Sequence, residues 1–483
     1  MATLNCFSLL TTFLIYSSLL LVLFSYFPEK SVALGSHFET IEITSLLTAP
    51  DCRRSFTGTI ILHQNSRLEV FHRYGPCSNP GAGSPYNMPS AHDILQQDQL
   101  RVQSLQARFK PNSKKQNSQF QDTKEANLPV QFSPGDYTVN VDIGTPGQQL
   151  TLIFDTGSDL IWTRCSDTLS SSGINFNASA SSSFSTIPCH NSSICTELLP
   201  IHMCNEFYST NDTCFYGLQY GDGSYSIGAF SMESLNVTQT GDVFPNFLFG
   251  CAQEIEDDAY SDVAGMLGLG RDTISFVSQT EETYRGVFSY CFPSTPSSTG
   301  FLKLGQKDHY PNDVKFTPLI TNSKHPSFYF IHIISISVGG VQLLIDQSYL
   351  DYPGTIIDSG TVITRLSMYV YTTMRDEFQK QMNDSGYQLA TDAVSLLDTC
   401  YDTSNHETIT VPTISFTLNG NVTVDLNSST TLYAIDPTLA CLAFAGNSDH
   451  KDLSIFGNTQ QKTFEVMYDV DGGKLGFFPN GCH

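Results

Sequence analysis

Hydrophobic and polar positions divide the chain into three stretches with different rhythms. Residues 7–27 are apolar or hydroxylated throughout, and no charge precedes Glu29. Residues 34–126 are polar and poor in strand patterns. Within them Leu95, Val102, Leu105 and Phe109 recur at spacings of seven, three and four, which predicts one amphipathic helix over 90–109. Pro111 to Glu125 has no periodicity and carries lysines, so it reads as an exposed, cleavable tract. From Leu128 onward, short alternating or apolar runs are broken by turn residues at close spacing, the mark of an all-β fold. Tyr137 to Ile143 alternates and then turns. The Ser/Thr/Cys-rich region 165–214 has little core content and reads as a loop excursion stapled by disulfides.

One pattern occurs twice. Leu150 to Phe154 is a short apolar run that ends on Asp155, Thr156, Gly157 and Ser158. Thr355 to Ile357 is another, ending on Asp358, Ser359, Gly360 and Thr361. Each apolar, β-branched run predicts a buried strand, and each Gly permits a sharp turn directly after the Asp. Each copy therefore presents a carboxylate at a strand end, beside a hydroxyl that can orient it. A single such turn is unremarkable; two far apart in one chain point to a pair. Brought together, two carboxylates cannot both ionise easily, so one becomes a base and the other an acid. A water between them can then be deprotonated and aimed at an amide carbonyl, whose oxygen takes the other proton. Gly221, Asp222 and Gly223 between two alternating segments predict a hairpin. Tyr220 stands at its mouth, where a mobile tip can close over a cleft. Leu267–Gly268 and Phe456–Gly457 form a second matched pair, each about a hundred residues after its own Asp. The body thus reads as two diverged copies of one lobe.

Composition narrows the setting. Thirteen cysteines without a CxxC pair or clustered Cys/His spacing argue for disulfides in an oxidising compartment, and against a metal site. The charge is uneven: residues 1–126 hold 11 Lys+Arg and 9 Asp+Glu, while 127–483 hold 13 and 38. A body at −25 is a poor partner for nucleic acid, and with few basic groups it limits self-repulsion in acid. Residues 1–33 read as a signal peptide with Ser31 and Ala33 at the cleavage site, an uncleaved anchor being the alternative. No later segment is apolar enough to span a membrane. Seven N-x-Ser/Thr sequons, at Asn177, Asn191, Asn211, Asn236, Asn383, Asn421 and Asn427, fit glycosylation on the secretory route. The expected order is signal peptide 1–33, propeptide 34–126, N-terminal lobe 127–305 and C-terminal lobe 306–483. The propeptide is basic and the body acidic, so Lys110, Lys114, Lys115 and Lys124 are candidates to cover the carboxylate pair.

These motifs resemble those of pepsin-type aspartic endopeptidases, and more narrowly the plant nepenthesin-like group that includes the chloroplast-nucleoid and guard-cell aspartic proteases. The resemblance rests on Asp155 to Trp162, Tyr220 to Ser224, Thr355 to Thr361 and Ile455 to Gln461. It implies a bilobal all-β fold with a cleft between two pseudo-symmetric lobes and Asp155 and Asp358 at its floor. Ser158 and Thr361 would support them. Tyr220, with Gly221, would form a flap whose hydroxyl bonds the Trp162 indole. The family pattern implies disulfides Cys165–Cys251, Cys189–Cys214, Cys195–Cys204, Cys291–Cys482 and Cys400–Cys441. The short cysteine cluster usual just after Cys165 is missing here, which alters the rim of the cleft. The implied activity is hydrolysis of peptide bonds in acid by a monomeric, secreted zymogen of the apoplast or vacuole. Its substrates are polypeptides, its propeptide is an intramolecular inhibitor, and no cofactor is needed. Two rivals are an inactive binder, like a xylanase inhibitor or a seed globulin, and a plastid protein that also binds DNA. Both Asp residues, their hydroxyls and Tyr220 stand against the first. The charge of the body and the apolar leader stand against the second.

Overall fold

The computed structural model describes residues 37–47, 49, 51–53, 66–78, 89–109, 130–131, 136–166, 175–189, 194–195, 202–204, 212–220, 225–237, 240–256, 262–305, 310–311, 313–391, 394, 396–479 and 481–482. Apart from residues 37 and 38, they belong to one compact unit, Glu39–His483, taken as the second of two in the chain. The fold lies in the second. The expected signal peptide and the four candidate lysines at 110, 114, 115 and 124 lie outside the described residues. Among the described residues, no helix is long and apolar enough to cross a membrane.

Strands dominate, and they form the two lobes that the repeat predicts. One sheet of sixteen strands carries the N-terminal lobe and continues into the last strands of the chain. Its middle runs Phe464–Asp469, Val287–Cys291, Thr299–Leu304, Ser66–His72, Tyr137–Ile143, Gln148–Asp155 and Gly265–Gly268. Smaller sheets of five, four and three strands, drawn from residues 330–456, build the C-terminal lobe. The core forms where alternating residues face inward: Val139, Val141, Leu152 and Phe154 on one side, Ile336, Val338, Phe416 and Val424 on the other, all at most 1% exposed.

The region before 127 corrects the sequence reading. It contributes a strand to the middle of the large sheet. Ser66–His72 pairs antiparallel with Thr299–Leu304 on one side and with Tyr137–Ile143 on the other. Leu68 and Val70 point into the core, while Arg67 lies over the ring of Phe301, 3.9 Å from its centroid. The signal was present as apolar–charged alternation from Arg67 to Phe71, obscured by its polar surroundings. Cys52 and Cys77 form a disulfide around this strand, and Arg73 pairs with Asp262 of the body.

Disulfides join Cys165 to Cys251, Cys291 to Cys482 and Cys400 to Cys441. The other two expected pairings are exchanged. Cys189 bonds Cys204 and Cys195 bonds Cys214. The sulfurs of Cys189, Cys195 and Cys204 lie within 4.8 Å of one another, and Cys195 Sγ sits 3.4 Å from Cys204 Sγ without a bond. Four cysteines in one knot leave spacing unable to choose among partners.

Candidate active site

Each Asp is delivered by parallel strands. Gly265–Gly268 runs beside Gln148–Asp155 with Gly268 opposite Asp155, and Leu269 N–H donates to the Asp155 carbonyl at 2.8 Å. Ser454–Phe456 runs beside Thr355–Ile357 in the same way, and Asp358 N–H donates to the Phe456 carbonyl at 3.1 Å. The two Gly doublets thus lie against the two Asp loops. A Cβ at Gly268 would stand 2.3 Å from the Asp159 carbonyl oxygen, a contact only glycine permits.

The two loops grip each other. Thr156 N–H donates to Ser359 Oγ, and Ser359 N–H donates to Thr156 Oγ1, each at 2.9 Å. These two residues were not singled out from sequence, although each occupies the same place in its own repeat. Asp155 Oδ1 accepts from Gly157 N–H at 3.0 Å, and Asp358 Oδ1 accepts from Gly360 N–H at 3.1 Å. Thr361 Oγ1 donates to Asp358 Oδ2 at 2.5 Å. Ser158 Oγ lies 3.1 Å from Met266 Sδ, and its hydroxyl favours the ionised form of Asp155. Both carboxylates are fully buried.

What buries them is the helix Ala91–Phe109. It begins where Ser90 and Asp93 cap each other, Ser90 N–H donating to Asp93 Oδ2 at 3.1 Å and Asp93 N–H to Ser90 Oγ at 3.2 Å. Its Arg101 enters the space between the two Asp residues. Nη2 lies 2.8 Å from Asp155 Oδ1 and 2.8 Å from Asp358 Oδ1. Nη1 donates to Asp155 Oδ2 at 3.3 Å, and Nε donates to Asp358 Oδ2 at 3.2 Å. The group covering the pair is therefore an arginine on the helix. The sequence reading did not single out Arg101; the four candidate lysines lie outside the described residues.

The helix is held along its length. Leu95 packs with Val362, Ile363 and Leu397. Val102 and Leu105 pack with Phe328, Phe330, Ile356 and Leu453. Gln106 mimics a strand neighbour, accepting from Leu453 N–H at 2.6 Å and donating to its carbonyl at 2.7 Å. Asp98 accepts from Val362 N–H at 2.6 Å and Ile363 N–H at 3.3 Å, and pairs with Arg365 at 2.8 Å.

The electrostatics separate the two acids. Burial opposes ionisation of Asp155, but the Arg101 guanidinium outweighs it and holds that carboxyl below its ordinary value. Burial, helped by the charge on Asp155, pushes Asp358 above its ordinary value despite Arg101. Arg101 is raised: burial works against its charge, and the two carboxylates more than restore it. The pair can thus hold one proton and one negative charge.

Trp162 is fully buried, in a cluster with Tyr216, Phe230 and Met266. Phe215–Tyr220 and Tyr225–Val237 form the arms of the expected hairpin, with Gln219 opposite Tyr225. Gly221 to Ser224 and the Tyr220 side chain lie outside the described residues. Among the sequons, Asn383 and Asn421 are exposed, whereas Asn177 is buried and caps a turn through Ala180 N–H. Asn236 and Asn427 are half-buried, and Asn191 and Asn211 lie outside the described residues.

Known proteins share this plan. Residues 137–306 match a family model described as xylanase inhibitor N-terminal, and 328–479 match its C-terminal counterpart. An aspartyl protease family protein of Arabidopsis thaliana is 40% identical over 453 residues, covering 92% of this chain and 93% of its own. The aspartic proteinase nepenthesin-2 of Nepenthes gracilis is 33% identical over 466 residues, covering 94% and 99%. The crystal structure of basic 7S globulin from soybean superposes with a TM-score of 0.58 at 18% identity, over 73% of this chain and 93% of that one. At that identity the likeness is one of fold.

Proposed function

Because this chain belongs to the pepsin-like aspartic protease family and is an aspartic endopeptidase, we propose that Asp155 and Asp358 are its catalytic pair and that it is made as a zymogen. The observation that carries this reading is the single guanidinium nitrogen of Arg101 at 2.8 Å from an oxygen of each carboxylate. Two groups that share one nitrogen can share one water. With the helix withdrawn, a water between them loses a proton to the ionised carboxylate as it attacks the amide carbonyl. The protonated carboxyl gives its proton to the carbonyl oxygen, and the amine leaves with a proton returned by the pair. The proton belongs to the pair, and its division between the two acids is set by what lies in the cleft.

In the precursor, Arg101 takes the water's place, so residues 34–126 act as an intramolecular inhibitor. Acid weakens this hold. Asp358, raised, accepts a proton first as the pH falls, removing one of the two charges that face Arg101. The Asp155–Arg101 contact stabilises the closed form fully above the ordinary aspartate value of about 4, and is lost as the pH falls through the lowered one. Cleavage in the tract 110–126 completes maturation. The apolar leader, the exposed sequons and the disulfides support passage through the secretory route to the apoplast, with the vacuole as the alternative, and a polypeptide substrate bound as an extended strand by a monomer.

Incubation in acid followed by digestion of a denatured globin tests the proposal. The wild type loses its N-terminal segment and cleaves the globin; Asp155→Asn and Asp358→Asn fold but do not turn over. Full activity in either variant removes the dyad assignment. A folded wild type that cleaves nothing overturns the proposed chemistry.

A further inference from the structure

Arg365 is a buried cation in the cleft that the proposed hydrolysis does not use. It lies in the strand Thr364–Leu366, just past the Asp358 loop, and is 1% exposed. Its Nη1 donates to the Ile363 carbonyl at 2.7 Å. Its Nη2 donates to Asp98 Oδ2 at 2.8 Å and Gln99 Oε1 at 3.4 Å, both on the helix that fills the cleft. Asp98 also accepts from the main-chain N–H groups of Val362 and Ile363. One carboxylate is thus received by a guanidinium and two amides. All three donors belong to the enzyme body, and only the acceptor belongs to the propeptide.

Withdrawal of the helix leaves this receptor intact and removes its anion. Arg365 keeps a single carbonyl, and two amide N–H groups lose their acceptor. With the helix gone these donors face the open cleft, where an anion carried by the next occupant meets a guanidinium and two amides already in place. The polypeptide being cleaved is what next occupies the cleft, along the floor where the helix lay. We infer that Arg365, with the Val362 and Ile363 N–H groups, is a specificity subsite for an Asp or Glu side chain of the substrate, and that Asp98 is its built-in surrogate. The inference rests on the protease reading above. Leu95 packs on Val362 and Ile363 beside the receptor, so the acidic residue has an apolar neighbour in the substrate. An acidic preference is not what the body's charge of −25 favours; its field repels anions at long range, and selection must come from this local site.

Paired peptides that differ only in Asp against Asn, scanned across positions on both sides of the scissile bond, test it with the acid-matured enzyme. At about pH 5 a substrate aspartate is mostly ionised. The expected result is one position at which Asp exceeds Asn in kcat/KM by about tenfold or more, the size of a charge-assisted hydrogen bond. Arg365→Gln brings that ratio to near one, and Arg365→Lys leaves it intermediate. Equal rates for Asp and Asn at every position in the wild type overturn the subsite, as does a preference that survives Arg365→Gln. A synthetic peptide of residues 90–109 supplies a measurement free of enzyme variants. Its affinity for the matured wild type falls about tenfold on Asp98→Asn, and unchanged affinity overturns the receptor. Absence of any cleavage, with that affinity difference retained, removes the hydrolytic reading and leaves the carboxylate receptor standing.

Discussion

At the scale of single residues, the proposed latency turns on Arg101. A guanidinium is planar and carries several donors, so one side chain spans two carboxylates and still reaches Thr361 Oγ1 at 3.3 Å. Lysine offers a point charge on a flexible stem and cannot bridge both acids in the same way. Arg101→Met is therefore expected to release latency, with maturation beginning at higher pH than in the wild type; Arg101→Lys falls between them. A pH series of precursor processing, read by gel mobility, checks both. Gly360 is a second sensitive position. A Cβ there would stand 2.3 Å from Arg101 Nη2 and 2.5 Å from Asp155 Oδ1. Gly360→Ala is expected to lose both latency and turnover, measured as processing and peptide hydrolysis of one preparation.

At the scale of elements, two pieces of the region before 127 are held in different ways. The helix Ala91–Phe109 is anchored by a narrow apolar stripe, legible in sequence from Leu95, Val102 and Leu105. Leu105 is fully buried between the helix and the C-terminal lobe. Leu105→Ala removes a packed side chain worth about 2–5 kcal/mol, so the helix is expected to leave the cleft earlier as pH falls, seen as faster maturation in stopped-time assays. The strand Ser66–His72 is held by ladder hydrogen bonds and by Leu68 and Val70, none of which titrate in acid. Val70→Asp places an unpaired carboxylate in the core and is expected to prevent folding of the precursor, measured by soluble yield and circular dichroism.

At the scale of the molecule, these differences predict two outcomes in one segment for the proposed maturation. Acid is expected to weaken the grip on the helix and to leave the strand in place. Residues 52 and 77 are joined to each other and not to the body, so any retained strand is held without a covalent link. After cleavage in 110–126, residues 66–78 are expected to co-elute with the body on native gel filtration and to separate from it in denaturant, as read by intact mass. Co-elution with the helix released would make the matured protein a two-chain particle; absence of the strand from the native peak would show that another segment fills its place in the sheet.

The chain's own order of residues was enough to show the repeat, and with it the pairing of two carboxylates on which the proposed chemistry rests. Asp155 and Asp358 stand out because each closes a β-branched run and precedes a Gly, a local pattern that needs no partner to be seen. The amphipathic helix was equally local, its stripe having a short period. Three matters were decided only in three dimensions. Arg101 reaches the dyad because helix packing sets which face meets the floor, a property of the surface it lands on. Thr156 and Ser359 exchange hydrogen bonds because the two loops abut, 203 residues apart in the chain. Cys189, Cys195, Cys204 and Cys214 choose partners inside one knot, where distances in space override spacing in sequence. Contacts within a few residues leave a periodic trace in the chain; contacts between its halves do not, because closing long loops brings together side chains that no local pattern relates.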